Sequence, residues 1–389
     1  MTRLSPAELT RYSRHLRLDE LGVAGQTKLK DAKVLIIGAG GLGSPASLYL
    51  AAAGVGTLGI VDFDRVESHN LQRQLLHTDA SVGTLKTESA AARLRAANSL
   101  ITVREHPCAV SAANAVSLFS EYDIIVDGTD TFPTRYLNND AAVLAGRPLV
   151  HGSIFRFEGT VSVFAPQLGG PCYRCLFPDP PQPGTVPTCD QSGVLGALCG
   201  VIGSLQALEA IKLITGLGDT LVGRVLTYNS LNQEFRTFRL QRNPLCRSCG
   251  SGATGHLDLP DTCETPACNT ARPLSMESSG NEPPLEISVE ETQALLHRNP
   301  SGVVLIDVRE PFEADICRIT GAELIPMRQL PNCLESLSGD KYLLIYCHHG
   351  GRSLRVTQYL RERGFRQVSN MRGGIDAWAC QIEPGMRRY

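Results

Sequence analysis

The chain lacks what several broad classes of protein require. No run of lysine and arginine is long enough to form a nucleic-acid arm, and the net charge over 389 residues is only −2. The opening stretch, MTRLSPAELTRYSRHLRLDELG, is polar and helical in pattern, without the apolar segment of a secretory leader. No uninterrupted apolar run reaches membrane-spanning length, and no internal repeat relates the two halves. These absences argue against nucleic-acid and membrane partners and lead to the expectation of a cytoplasmic protein. What remains is ordinary for globular cores: 42% hydrophobic and 20% charged residues, in a length that suits two domains.

Cysteine, by contrast, is plentiful, at 13 residues. Without an export signal that number points to metal binding and thiol chemistry rather than a disulfide scaffold.

Two patterned regions flank a poor one. In residues 1–251, strand-like runs (KVLII 33–37, TLGIV 57–61, YDIIVD 122–127, GTVSVF 159–164) alternate with Ala- and Leu-rich helical runs. Such alternation predicts an α/β domain with a largely parallel sheet. Residues 252–284 are dominated by Gly, Pro, Ser and Thr and read as a flexible linker. In residues 285–389 a small α/β pattern returns: VVLIDV (303–308) and YLLIYC (342–347) as buried strands, RSLRVTQYLRERG (352–364) as an amphipathic helix closed by glycine.

The first strand runs into GAGGLGS (38–44), where Gly38, Gly40 and Gly43 spell G-x-G-x-x-G. Glycines let the backbone turn tightly and approach a phosphate, and the helix N-terminus that follows attracts the anion. The next strand ends at Asp62, where a carboxylate accepts hydrogen bonds from ribose hydroxyls. Alone, this fingerprint suits a nicotinamide-dependent oxidoreductase. The residues that follow suit a triphosphate with Mg²⁺ instead. HNLQRQ (69–74) supplies Asn70 and Arg73, Lys86 begins a helix, and GTDT (128–131) supplies Asp130 at a strand end. Cations stabilise a transferred phosphoryl group, and a carboxylate holds the metal.

R-Y-S-R (11–14), G-x-G-G-L-G-S, D-F-D (62–64), N-L-Q-R-Q and G-T-D together resemble the adenylyltransferase family of molybdopterin-synthase and thiamine sulfur carriers, bacterial relatives of ubiquitin-activating enzymes. The resemblance covers the first domain. It implies a Rossmann-like fold in which ATP adenylates the C-terminal glycine of a small ubiquitin-like sulfur carrier ending in Gly-Gly. It further implies that Gly41 and Asp62 hold the nucleotide, that Asn70, Arg73 and Lys86 contact phosphates, and that Asp130 handles Mg²⁺. Asp64, His69, Leu71, Gln72 and Thr131 fall within the same matched runs. Arg14 is expected to reach the phosphates of a neighbouring subunit, so a homodimer is implied.

Cys172-Tyr-Arg-Cys175 and Cys246-Arg-Ser-Cys249 are paired C-x-x-C turns. Each presents two thiolates, and together they complete a tetrahedral Zn²⁺ with no open position, so the metal is expected to be structural. The bland alternative is a redox pair or plain buried thiols. FPDPPQPGTVPTCDQSG (177–193) reads as a mobile crossover carrying Cys189 before a long apolar helix. A cysteine there is either an incidental thiol or, as in relatives, a covalent attachment point for the activated carrier. Cys199, inside the apolar helix, reads as core.

In the second domain the strand YLLIYC ends at Cys347, followed by His-His-Gly-Gly, Arg352 and a helix. This places a thiol within a ring of backbone N–H groups, which stabilises a thiolate or persulfide, with Arg352 as a fixed cation. The loop, with LIDVREPFEADICRITGA (305–322) and RGGIDAWA (372–379), resembles the rhodanese family. Its C-x4-R length is that of sulfurtransferases; similar phosphatases use one residue more. An inert docking module is the alternative. His348 and His349 read as surface residues of the loop. Taken together, the sequence leads to an adenylyltransferase fused to a sulfurtransferase, using ATP, Mg²⁺ and Zn²⁺ and drawing sulfur from a cysteine desulfurase or thiosulfate.

Overall fold

A computed structural model describes residues 3–181, 193–253, 283–334, 337 and 341–389. Cys189, Cys263, Cys268 and most of the expected linker lie outside the described residues. The chain divides into two compact units, 1–270 and 271–389.

The first unit is built on an eight-stranded sheet ordered β3-β2-β1-β4-β5-β6-β7-β8. The strands are β1 (Lys33–Ile37), β2 (Thr57–Val61), β3 (Thr102–His106), β4 (Ile124–Asp127), β5 (Leu149–Phe155), β6 (Glu158–Phe164), β7 (Arg224–Asn229) and β8 (Glu234–Arg239). β3, β2, β1, β4 and β5 are mutually parallel. β6, β7 and β8 then continue antiparallel, so the sheet is only partly the parallel one expected. The continuous apolar run of β1 is the signature of a strand covered on both faces. Val34 and Ile36 join one core, while Leu35 and Ile37 join the other.

The long helix Gly196–Thr215 is by length and composition apolar enough to cross a membrane. Gln206, Glu209 and Lys212 interrupt it, and Leu198, Cys199, Ile202, Ala207 and Ala210 are buried in the first of these cores. It serves as a core helix over β5 and β6.

The second unit has a parallel five-stranded sheet, β11-β10-β12-β13-β9. Its strands are β9 (Glu286–Ile287), β10 (Val303–Asp307), β11 (Glu323–Leu324), β12 (Tyr342–Tyr346) and β13 (Val368–Met371). Here too, neighbours on the central strand alternate: Leu344 and Tyr346 face one core, Leu343, Ile345 and Cys347 the other.

Candidate nucleotide, metal and sulfur sites

In the first unit β1 ends at Ile37 and the helix Gly43–Ala53 begins five residues after Gly38. Gly38 has φ +89°, and a Cβ at Gly43 would lie 1.8 Å from the Gly38 carbonyl oxygen. Only glycine permits that turn and that close approach. The carboxylate of Asp62, one residue past β2, accepts from the Ala39 N–H at 2.8 Å and the Asp64 N–H at 2.9 Å. Burial is the largest influence on this carboxyl and pushes it up, against the opposing pull of Lys86 and the two backbone donors. His77 braces the loop from behind. Its Nε2 is 3.0 Å from the Ala39 carbonyl oxygen and its Nδ1 2.9 Å from Ser89 Oγ. Burial holds it below the usual histidine range, so the ring is neutral and donates to Ala39.

The HNLQRQ run winds against this loop through a short 3-10 turn, Ser68–Asn70. Asn70 is buried. The Arg73 side chain would lie 3.6 Å from a Cβ at Gly41, and its Nη1 donates to the His69 carbonyl at 3.3 Å. His69 is exposed, with Nδ1 3.3 Å from Glu67. Leu71 is half-buried. Gln72 is exposed and lies against Gly196 rather than the glycine-rich loop. It is Gln74 that approaches Gly40, and its buried Oε1 has no hydrogen-bond partner among the described residues. Lys86 starts the helix Lys86–Ala97, as expected, and pairs with Asp64 at 2.8 Å.

β4 ends at Asp127, the last residue of the run read as a strand, and Asp130 follows in the loop. The two carboxylates differ sharply. Asp127 is fully buried and saturated: it accepts from Thr129 N–H and Oγ1, Asn138 Nδ2 and His151 Nδ1, at 2.7–3.1 Å. Burial alone would raise its pKa, but these donors hold it below the usual range. Asp130 is exposed, and no described residue bonds its carboxylate. An oxygen donor free of internal partners is what Mg²⁺ takes. Thr131, the next residue, caps the helix Phe132–Leu144 through a 3.4 Å bond from Thr134 N–H.

Arg14 is exposed and belongs to the other end of the helix Gly43–Ala53. There a Cβ at Gly54 would meet Tyr12 Cζ at 2.4 Å, while Gln26 links His15 to the Ala53 carbonyl. Eleven helical residues span about 16 Å. The chain thus keeps Arg14 away from its own glycine-rich loop.

The four predicted zinc ligands converge. Cys172 Sγ is 3.9 Å from Cys175 and 3.5 Å from Cys246, and Cys175 is 3.5 Å from Cys249. All four sulfurs lie within 4.8 Å of one another. A tetrahedral Zn²⁺ with ~2.3 Å bonds requires sulfurs ~3.8 Å apart, so the set fits zinc. Without a metal, burial pushes the Cys172 thiol up, and Cys249 goes to about 11, mainly through burial and through Cys175. Behind the cluster, Asp140 pairs with Arg174 at 2.6 Å and accepts from Ser248 Oγ. That ties both C-x-x-C turns to the helix Phe132–Leu144.

In the second unit β12 ends at Tyr346, and Cys347 is the first loop residue. Its sulfur accepts from Gly350 N–H at 3.2 Å and Ser353 Oγ at 3.3 Å, at the start of the helix Gly351–Glu362. Gly350 has φ +96°. A Cβ at Gly374 would strike the His348 carbonyl oxygen at 2.2 Å, so the start of the helix Gly374–Gln381 closes on the loop. Arg352 is fixed by a carboxylate. Its two terminal nitrogens grip Glu313 at 2.6 and 2.7 Å. Burial opposes ionisation of Glu313, but Arg352 outweighs it and holds the carboxyl at about 2. Ser353 and Glu313 are site residues the sequence reading did not assign. Ser353 is visible as the residue after Arg352, but Glu313 lies 39 residues away and carried no local signal.

The fold and sites define a Rossmann-like α/β unit carrying four cysteines placed to hold a metal, joined to a unit that presents a cysteine to a helix N-terminus. The profile of the ThiF family matches residues 12–248, and that of the rhodanese-like domain residues 288–381. The chain belongs to the ThiF family and carries a C-terminal rhodanese-like domain. It is 47% identical to a Mycobacterium tuberculosis protein named probable adenylyltransferase/sulfurtransferase MoeZ, covering 99% of this chain and 96% of that one. It is 42% identical to the Bos taurus adenylyltransferase and sulfurtransferase MOCS3, covering 99% and 89%. A crystal structure of E. coli MccB with ATP is similar at a TM-score of 0.54 and 27% identity, over 63% of this chain and 75% of that one.

Proposed function

We propose that this chain adenylates the C-terminal glycine of a small ubiquitin-like sulfur carrier and then converts the adenylate to a thiocarboxylate with sulfur from Cys347. The observation that carries the reading is the pairing of two chemistries in one chain. One site sets Arg73, Lys86 paired with Asp64, and the exposed carboxylate of Asp130 beside a glycine turn, and another loop holds a cysteine sulfur among donors. The names of the relatives, adenylyltransferase and sulfurtransferase, support it.

ATP lies with its phosphates over Gly38–Gly43, its ribose at Asp62, and Asn70, Arg73 and Lys86 around the phosphate chain. Asp130 holds Mg²⁺, which neutralises phosphate charge. Arg14 serves the site of a second copy in a homodimer. The carrier carboxylate attacks the α-phosphorus and diphosphate leaves. Cys347 receives a sulfane sulfur from a desulfurase persulfide, or from thiosulfate with sulfite leaving. The terminal sulfur of Cys347–S–SH attacks the acyl carbon and AMP leaves, giving an acyl disulfide. The Cys189 thiolate then attacks Cys347 Sγ, expelling the thiocarboxylate. An external dithiol reduces the Cys189–Cys347 disulfide that remains. The four-cysteine cluster holds a structural Zn²⁺ and takes no part in these steps.

Carrier-dependent exchange of labelled pyrophosphate into ATP tests the first half. Thiosulfate-to-cyanide transfer, compared with Cys347→Ala, tests the second. No exchange with any diglycine-tailed carrier contradicts the reading, and transfer undiminished in Cys347→Ala makes the second unit an inert docking module.

A further inference from the structure

The rim of the Cys347 loop is built by a residue far from it in sequence. The Tyr389 ring stacks on His348, centroids 4.3 Å apart and planes 5° from parallel. Its hydroxyl donates to Glu313 Oε1 at 2.9 Å and accepts from Arg309 Nη1 at 2.9 Å. Glu313 is the same carboxylate that grips Arg352. Arg309 is fully buried and paired with Asp307, which also accepts from the hydroxyl of Tyr346, the residue before Cys347. Tyr389 therefore bridges the groups on both sides of the thiol.

The consequence is electrostatic. The guanidinium of Arg352 is spent on Glu313, and His348 lies beneath an aromatic ring. Around the sulfur, the direct donors are one backbone N–H and one hydroxyl, both uncharged. A small dianion needs positive charge at such a site. We infer that Tyr389 is a specificity-determining positioning residue: by stacking on His348 it keeps that side of the Cys347 loop uncharged, which disfavours small dianionic sulfur donors relative to a protein-borne persulfide. This inference rests on the sulfur-transfer reading above.

The charged and titratable groups facing His348 are His349 in its own loop, Asp376 on the helix Gly374–Gln381, Glu313 on the helix Pro311–Ile316, Arg309, and Tyr389 itself. Burial, then His349, outweigh the two carboxylates and hold His348 at about 4. Without the Tyr389 ring, His348 is exposed and moves toward its ordinary value, about 6.5.

The probe is alkylation of Cys347 in the full chain, quantified at its peptide by mass spectrometry. The ratio of rates with anionic iodoacetate and neutral iodoacetamide reports the local charge. In the unmodified chain and in Tyr389→Phe, which keeps the stack, this ratio changes no more than in a His348→Ala chain as pH falls from about 8 to about 5.5. In Tyr389→Ala it rises about 10-fold, as one cation at close range requires, and adding His348→Ala removes the rise. A flat ratio in Tyr389→Ala, or a rise that survives loss of His348, overturns the inference. If Tyr389→Ala does not fold, histidine NMR of the unmodified chain decides. His348 neutral at pH about 5.5 supports the inference, and titration near 6.5 overturns it. Failure of carrier-dependent pyrophosphate exchange in the unmodified chain would sink the proposed function while leaving this charge measurement readable.

Discussion

The glycine-rich loop after β1 and the cysteine loop after β12 share one design, a buried parallel strand feeding a turn at a helix N-terminus. They differ in how they treat charge. Around the first, Lys86 is paired with Asp64, but Asp130 is exposed and without a partner among the described residues, and Arg73 is held only by a backbone carbonyl. The second ties its arginine to Glu313 in a two-pronged pair. The difference follows from where the anion comes from. In the proposed function a triphosphate and its metal would arrive from solution, so the site would need charges available. A persulfide is carried on the site's own sulfur, so dipoles suffice, and a free cation would recruit competing anions.

The sharpest break of this comparison is Cys347→Ala. It is expected to abolish thiosulfate-to-cyanide transfer while leaving pyrophosphate exchange intact; loss of both would deny two separable sites. Asp130→Ala should do the reverse, lowering exchange by at least about 100-fold while sparing transfer. An Asp127→Asn chain, by contrast, should lose stability first, because Asp127 is consumed by internal bonds.

Metal removal acts on the first unit alone. Purified protein should hold one zinc per chain by elemental analysis. Chelation or Cys246→Ser should destabilise the first unit by several kcal/mol, on the order of a structural zinc's folding contribution, with transfer at Cys347 retained. Metal-free protein with an unchanged melting curve would refute a structural role.

The smallest effect sharpens the second loop. Glu313→Gln should cost about 2 kcal/mol, because the half-buried Arg352 loses its charge-assisted bonds. Its pH dependence has a definite sign. The carboxyl is held at about 2, below its ordinary 4.5. The pair's contribution is therefore fully present above pH 4.5 and lost as pH falls toward 2, where the melting curves of the two chains should converge.

Local features were the most legible in the sequence. KVLII and TLGIV are strands over the residues read from their apolar runs, because a strand buried on both faces has no other pattern. Cysteine spacing brought together sulfurs 74 residues apart, since each C-x-x-C turn is half of a metal site before the chain folds. What stayed hidden depends on tertiary contact. The turn from parallel to antiparallel at β6 leaves no mark in GTVSVF. That Gln74 rather than Gln72 meets Gly40 is decided by the 3-10 turn at Ser68–Asn70. Pattern alone does not separate Asp127 from Asp130 as the available carboxylate, because they flank the same Gly-Thr pair and only burial distinguishes them. Nothing near Arg352 announces Glu313 or Tyr389.

The most direct test of two loops acting in sequence is the mass of a diglycine-tailed carrier incubated with this protein, ATP, magnesium, thiosulfate and a dithiol. The account predicts replacement of one C-terminal oxygen by sulfur, and, with Cys347→Ala, carrier found as the acyl-adenylate. A carrier of unchanged mass with both proteins, and no diphosphate released, would contradict it.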